Sequence, residues 1–381
     1  MAVHSGIRIA QTVDEISESI DRLSDDCFFT YGWFKTLESF GRLPDPFYLT
    51  LSEVGQTIGI APCFLDRTDD FFSWGPNIFP FFHKALHIGQ KLGLFKRDLL
   101  LCYSPSCCRS KILMDNKYSS GKIIESFSKK IDEICKREKI VFSSFLFVSE
   151  FDKNLMGKLE AENYAKFPNI LTFYLKIQWT EFDDYLKSLK PGMAKKIRRE
   201  IKKCLENGVI IDQEEITQEI AEELSQLSAN VSSKHSTETV YKLDPSFFVT
   251  LQKYAKEKVK LFTARRNHKI IGFSLALQHK DTLDVYMYGS DYESQTNTFF
   301  TYFNLVYYKP IQLAIDKKLK KIYFRYFLAK SRLDRGCTLE RTYSYIKCQN
   351  SVFGPAVNSL LRSNKYFMLK SRFLHDYFKS S

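Results

Sequence analysis

The order of predicted helices and strands repeats once along the 381 residues, and this repetition limits the fold more than any other feature. Each half shows helical patterns that feed into runs of alternating strand character, with the second cycle beginning near Leu171. Helices leading twice into a mostly antiparallel sheet predict an α+β duplication. At about 150 residues per domain the length fits two domains. We place these at 1–170 and 171–381, with the last ~35 residues packing back on the first.

The second half carries the clearest strand patterns. Three of them follow one another, separated by polar turns, at 259–265, 269–278 and 282–289. A helix is predicted next at 297–318, interrupted at Pro310 because proline lacks an N–H and clashes with the preceding turn. A strand at 321–324 closes this series. Upstream, 193–207 is predicted as an amphipathic helix with a basic polar face.

The net charge of +12 is concentrated in two segments. Residues 317–381 hold 15 Lys/Arg against 3 acidic residues, and 187–205 hold 8 against Glu200 alone. Such segments suit a polyanionic partner: a nucleotide pyrophosphate, an acidic carrier protein, a phospholipid surface or tRNA. A solvated basic face without a ligand is the alternative interpretation.

The nine cysteines include no CxxC pair, and the N-terminus lacks the basic and apolar regions of a signal peptide. We therefore expect reduced thiols, a cytoplasmic location and no transmembrane segment. A soft-metal site is conceivable at a group of His and Cys residues: His83, His87, Cys102, Cys107 and Cys108. Adjacent cysteines are poorly spaced for chelation, so we expect no metal site.

Several stretches carry distinctive motifs: FFTYGWFKTLESFG near the start, FDDYLKSLKPGMAKKIRREIKKCLENGVII in the middle, and LVYYKPIQLAIDKKLKKIYF with RGCTLERTYSY near the end. Together they resemble the FemAB-like proteins of the GNAT acyltransferase superfamily. The resemblance covers roughly residues 12–346 and implies tandem GNAT-like domains, each a mostly antiparallel twisted sheet flanked by helices. It also implies acyl-group transfer, with an acyl-CoA or an acyl carrier protein as co-substrate and no tightly bound cofactor.

The chain departs from the family pattern at three places. Tyr302 and Asn304 stand where members often carry His and Glu before the double tyrosine. The run 329–332 replaces a Gly-Glu-His-Lys run before Arg335-Gly336, and no glycine follows Gly289 in the segment where GNAT enzymes carry a phosphate loop. Catalytic roles that relatives give to those groups therefore do not carry over.

Acyl transfer to an amine needs a deprotonated amine, a site for the oxyanion and a proton for the leaving group. On the strand that would flank the donor, Asp284, Tyr286 and Tyr288 alternate, which predicts that they share one face. Asp284 or Asp291 is then the candidate base and Tyr288 the candidate acid. Ordinary strand packing and a turn cap at Asp291 are the competing interpretations.

Two sets of residues are candidates for binding. The donor or its phosphates would contact the basic helix and the start of the next helix: Lys195, Lys196, Arg198, Arg199, Ser294, Thr296 and Asn297. The acceptor would contact the basic and aromatic cluster near the last core strand: Tyr307, Tyr308, Arg325, Tyr326, Lys330, Arg332 and Arg335. Plain helix capping, a solvated helix and core packing of the tyrosines are the alternatives.

The motifs, charges and family resemblance lead to three candidate functions. The first is an N-acyltransferase that moves an acyl group from a thioester to a small amine acceptor. The second is amide-bond formation from aminoacyl-tRNA, which the resemblance to Fem ligases implies. The third is a non-catalytic binding protein on the same fold.

Overall fold

The computed structural model describes residues 6–41, 43, 45–66, 99–105, 107–234, 243–294, 298–325, 329–350 and 354–363. The described residues form two compact units. Unit 1 draws on Met1–Ser24, Gly41–Leu171 and Glu340–Ser381, and unit 2 on Asp25–Phe40 and Thr172–Leu339.

This division differs from two continuous domains split at 170/171. The main boundary falls between Leu171 and Thr172, but Asp25–Phe40 belongs to unit 2 and the described residues after Leu339 belong to unit 1. The segment 25–40 joins unit 2 because its helix packs against a helix that ends at Ala255. The assignment of these segments to one unit or the other depends on contacts between residues far apart in the chain. The pattern of residues along the sequence does not show such contacts.

Unit 1 is a sheet with helices. Its elements are β1 (Ile7–Ala10), α1 (Ser17–Leu23), β2 (Pro46–Glu53), β3 (Gln56–Asp66), β4 (Leu99–Cys102), β5 (Leu113–Met114), α3 (Ser120–Glu138), β6 (Phe142–Ser149), α4 (Lys153–Ala161), the first residues of β7 (Ala165–Lys176), β13 (Thr338–Cys348) and α12 (Gly354–Ser363). The strand order is β1-β2-β3-β4-β6-β13-β7, with β5 on β3. Helix α3 buries an apolar stripe that includes Phe127 and Ile131 in the core.

Unit 2 is also built from strands and helices. Its elements are α2 (Tyr31–Ser39), the end of β7, α5 (Phe182–Ser188), α6 (Pro191–Glu206), β8 (Ile210–Glu214), α7 (Gln218–Lys234), α8 (Pro245–Ala255), β9 (Val259–Arg266), β10 (Lys269–His279), β11 (Thr282–Ser290), α9 (Thr301–Phe303), α10 (Lys309–Asp316), β12 (Lys321–Phe324) and α11 (Ala329–Asp334). The order is β7-β12-β11-β10-β9-β8, and only the β11–β12 pair is parallel among these described strands. The predicted α+β class with mostly antiparallel sheets is confirmed.

Helices cover both faces of the sheet in unit 2. On one face, Cys204 of α6 packs in a cluster with Phe262 and Leu305. On the other, Phe248 of α8 meets Phe273 edge-on, with ring centroids 6.0 Å apart. We call these the α6 face and the α8 face.

The predicted interruption at Pro310 takes the form of a π-helical turn. Residues Asn304–Tyr308 are π-helical between α9 and α10, and Pro310 lies in the first turn of α10. Proline removes one backbone hydrogen bond, and the wider turn before it accommodates that loss without ending the helix. The turn places Asn304, Tyr307 and Tyr308 inside unit 2.

We expect Gly32→Ala to lower the free energy of unfolding by about 1–3 kcal/mol, as overpacking does. A Cβ at Gly32 would overlap the carbonyl oxygen of Tyr254 and lie 3.0 Å from Cα of Ala255, so α2 and α8 would have to separate. Urea unfolding followed by tryptophan fluorescence measures the effect.

Gly157→Ala in α4 is the matched control, since a Cβ there meets no atom within 4 Å. Helix propensity alone should make this variant more stable by about 0.5–1 kcal/mol. A gain of the same size at Gly32 would show that α2 and α8 are not in close contact.

Candidate active site

Strands β11 and β12 part in the middle of unit 2. Their parallel pairing runs from Thr282–Lys321 to Val285–Phe324 and ends there. Strand β11 continues five residues further, to Ser290. Within the described residues, the last five residues of β11 therefore run beyond the end of β12, and we call this edge of β11 the opening.

A β-bulge lies at the start of this opening. Leu275 pairs with Met287 and Ala276 with Val285, so Tyr286 is an extra residue on β11. A bulge shifts the alternation of side chains by one position. The bulge therefore re-aims the side chains of β11 just where β12 ends.

The prediction that Asp284, Tyr286 and Tyr288 share one face is therefore wrong. Tyr288 pairs with Ser274, which pairs with Phe262, and this register places it on the α6 face. Asp284 pairs with Leu277 and lies on the α8 face, where it is buried. The structure does not bring these two candidate catalytic groups together.

Tyr288 is part of an aromatic wall on the α6 face. Its ring meets that of Tyr302 edge-on at 4.9 Å, and Tyr302 meets Tyr307 at 6.0 Å. The Tyr307 ring lies 5.1 Å from Phe324, the last residue of β12. Burial raises the pKa of Tyr288, so its phenol keeps its proton at neutral pH and can act as a proton donor.

Asp291 lies just beyond β11 and is held by several donors. Its Oδ2 accepts from Lys269 Nζ at 2.8 Å and from Ser294 Oγ at 2.7 Å, and its Oδ1 accepts from the Glu293 amide at 3.1 Å. Although partial burial opposes ionisation, these donors hold the pKa of Asp291 below its usual value. A carboxylate so stabilised is a poor base at neutral pH, and these contacts favour the turn cap.

The basic helix predicted at 193–207 is α6. Its cations Lys195, Lys196, Arg198 and Arg199 are exposed, and Arg198 pairs with Asp183 at 2.8 Å. Its buried stripe contains Ala194, Ile197, Glu200 and Cys204.

Sequence reasoning missed Glu200, which is fully buried at the centre of an ion-pair cluster. Tyr308 donates a hydrogen bond to Glu200 Oε2, and Arg335 Nη2 contacts the same oxygen at 3.2 Å and Tyr308 Oη at 2.9 Å. Arg335 Nη1 also donates to Ser331 Oγ at 2.8 Å. We call Glu200, Tyr308 and Arg335 the Glu200 cluster. The signal for it was the spacing of Ile197, Glu200 and Cys204 on one helical stripe.

The Glu200 cluster joins three elements of unit 2. It ties α6 to the π turn and to the residues after α11. The Arg335 guanidinium also lies over the rings of Phe303 and Tyr307, at 4.3 and 5.0 Å. Burial raises the pKa of Tyr308, so its phenol remains the donor to Glu200. The cluster fixes the position of the aromatic wall.

Other candidate binding residues lie in different settings. Arg325 Nη1 approaches the Tyr286 carbonyl oxygen at 3.5 Å and lies over its ring at 4.9 Å, beside the end of β12. Lys330 is exposed and lies 3.7 Å from Asp334. Arg332 is buried, with its guanidinium 5.3 Å from the Phe173 ring centroid. Thr296, Asn297 and Tyr326 lie outside the described residues.

No His, Cys, Asp and Glu cluster suited to a metal ion occurs in the part of the chain that the structure describes. Cys102 instead faces Cys63, with the sulfur atoms 3.6 Å apart and both buried. His83 and His87 lie outside that part. None of the helices found there is long and apolar enough to cross a membrane.

Solved structures place the chain among tandem proteins of the GNAT fold. FemX matches with a TM-score of 0.60 and 10% identity, over 93% of this chain and 100% of its own. The C-terminal domain of a putative lysylphosphatidylglycerol synthetase from Agrobacterium fabrum matches with a TM-score of 0.55 and 11% identity, over 92% and 95%. A tandem GNAT protein of the clavulanic acid pathway matches with a TM-score of 0.50 and 10% identity, over 91% and 99%.

The chain belongs to the FemAB-like family, described as peptidoglycan biosynthesis/recognition, which its sequence matches over residues 10–373. The family resemblance read from the sequence is confirmed. A comparison with curated protein sequences found no match.

Proposed function

We propose that this protein transfers an activated acyl group to an amine at the opening between β11 and β12. The observation that carries the proposal is that β12 stops pairing at Phe324, beside the bulge at Tyr286, while β11 continues to Ser290. An acyl carbonyl at this edge can accept a hydrogen bond from a strand N–H as oxyanion charge develops. Family membership and the GNAT fold support a transferase.

The residues at the opening suit direct transfer without a covalent intermediate. The amine attacks the carbonyl carbon, and the C–O or C–S bond to the carrier breaks. Tyr288, protonated at neutral pH, then supplies the proton to the leaving oxygen or sulfur, and the proton that the attacking nitrogen releases restores the Tyr288 phenol. A thioester donor, on CoA or on an acyl carrier protein, fits this scheme, and the exposed cations of α6 supply charge for its phosphates.

A second candidate donor is aminoacyl-tRNA, which has no pyrophosphate to place beyond β11. The segment where a CoA pyrophosphate would approach carries Asp291 and Glu293, and Glu223 of α7 lines the same cavity of about 350 Å³. Lys269 lines the cavity as well and pairs with Asp291, which leaves Glu223 and Glu293 as the acidic groups that disfavour a pyrophosphate there. The resemblance to Fem ligases noted in the sequence implies the same donor, and family membership is consistent with it.

A donor panel tests both candidates. We would measure thermal stabilisation and acyl transfer with acetyl-CoA, longer acyl-CoAs, free CoA and bulk aminoacyl-tRNA, at low and moderate salt. Stabilisation and turnover with a CoA ester would identify a thioester donor. Stabilisation by aminoacyl-tRNA alone, weakening steeply as salt rises, would identify the tRNA route.

The variant Lys195→Ala/Arg199→Ala serves as the charge control in this panel. It should weaken tRNA binding and reduce its salt dependence, by about one unit of slope for each phosphate that the protein no longer neutralises. Intact binding without turnover for every donor would contradict the proposal and support the non-catalytic alternative.

A further inference from the structure

Two buried arginines lie three residues apart at the end of α11, and only one has its charge compensated. Arg335 contacts Glu200, Tyr308 and Ser331. Arg332 is 5% exposed, and its Nε and Nη1 atoms are buried with no hydrogen-bond partner in the described part of the chain. A buried charge without a partner is costly, and a bound oxyanion would offset that cost.

The uncompensated guanidinium lies beside the opening, on the same face as Tyr288. It is 5.3 Å from the ring centroid of Phe173, which pairs with Phe324 across β7 and β12. Phe324 pairs in turn with Val285, one residue before the bulge, and lies under the Tyr307 ring. Burial raises the pKa of Tyr302. The positive charge of Arg332 acts to lower the same pKa, so the two side chains are close enough to interact electrostatically.

This position is on the β12 side of the opening, opposite the edge of β11. In the proposed transfer the donor carbonyl is bound at β11, so the amine would approach from the β12 side. Groups that contact Arg332 would then belong to that amine. The planar guanidinium presents N–H donors in a fork that matches a carboxylate or phosphate group. The aromatic surroundings exclude water and strengthen such a contact.

We propose that Arg332 binds an oxyanion, a carboxylate or a phosphate, carried by the amine acceptor. This inference rests on the proposed acyl transfer, because only that reaction makes the bound molecule an acceptor. The oxyanion site itself can be tested without turnover. Arg332 is a binding residue in this view and takes no part in proton transfer.

The first test is the stability of the ligand-free protein. Arg332→Met removes an uncompensated buried charge, so its urea midpoint should equal or exceed that of the wild type. Arg335→Met is the matched control and should lower the midpoint, because Glu200 then loses its buried cation and, among the described residues, keeps only Lys196 at 3.9 Å. A marked loss of stability in Arg332→Met would show that Arg332 has a structural role and would overturn the proposal.

The second test is binding. Inorganic phosphate and acetate, compared with chloride at equal ionic strength, should stabilise the wild type and bind Arg332→Met about 10- to 100-fold more weakly. Arg332→Lys keeps the charge without the fork and should be intermediate. Lys256→Gln removes one exposed positive charge elsewhere in unit 2 and should behave as the wild type. Equal stabilisation of the wild type and Arg332→Met, or none of either, would overturn the inference.

Matched amines separate the two oxyanion sources. L-alanine against L-alaninamide tests a carboxylate, and phosphoethanolamine against ethanolamine tests a phosphate. In an active preparation, Arg332→Met should raise KM for the anionic amine and leave kcat and the KM of its neutral partner nearly unchanged. Oxyanion binding that depends on Arg332 without any acyl transfer would retain the site and contradict the proposed function. Acyl transfer with the same KM values in the wild type and Arg332→Met would retain the proposed function and contradict the oxyanion site.

Discussion

Replacing Glu200 by glutamine is expected to lower the free energy of unfolding by about 3–5 kcal/mol, the cost of removing one member of a buried ion pair. The change keeps the size of the side chain but leaves Arg335, 1% exposed, without a carboxylate. It also replaces the acceptor of the Tyr308 hydrogen bond with a neutral amide. Urea unfolding followed by tryptophan fluorescence is a suitable measurement, because Trp33 and Trp179 both lie in unit 2.

Glu206→Gln on the same helix is the matched control for Glu200. Glu206 is 55% exposed and lies 3.5 Å from Lys202, one turn earlier. Exposed pairs of this kind contribute about 0.3–0.5 kcal/mol, so the control should unfold almost as the wild type does. If the two variants unfold alike, Glu200 does not neutralise a buried arginine.

Tyr288→Phe is expected to lower kcat for acyl transfer by about 10²–10⁴-fold, the usual contribution of a positioned proton donor. The phenylalanine ring can keep the edge-on contact with Tyr302, so folding should be preserved. The loss should be larger with an ester donor than with a thioester, because an alkoxide leaving group is the stronger base and needs the proton more. Single-turnover rates with both donor types measure this difference.

Tyr323→Phe is the control for Tyr288, since Tyr323 precedes Phe324 on β12 and lies on the opposite face, near Tyr174. Its kcat should stay within about threefold of the wild type, like most substitutions away from a reacting centre. Equal losses in the two variants would mean that Tyr288 acts through packing and that another group protonates the leaving atom.

The local sequence pattern was sufficient to predict three strands and the basic helix of the second half. Strands expected at 259–265, 269–278 and 282–289 are found at Val259–Arg266, Lys269–His279 and Thr282–Ser290. Alternation of apolar residues and polar turns fixes such strands whatever their neighbours are. The basic helix was equally visible, and α6 spans Pro191–Glu206. Quoted motifs also indicated the FemAB-like family, which the match over 10–373 confirms.

The candidate site could be predicted only in part. Tyr288 and Arg332 were named from their neighbours in sequence, and the structure places both on the α6 face, near the opening. Asp284 was paired with Tyr288 by simple alternation, which the bulge at Tyr286 breaks. A bulge is a property of the register between two strands, so β11 alone contains no sign of it.

The sequence by itself determined the α+β class, the duplicated order of helices and strands, and the two basic segments, because these depend on residues close together in the chain. Tertiary structure alone decided which charges are buried. In the sequence, Glu200 is a single acidic residue on a basic helix. Its partners Tyr308 and Arg335 lie 108 and 135 residues further along the chain. Whether a carboxylate faces water or an arginine depends on how distant elements pack, and local periodicity carries no information about that.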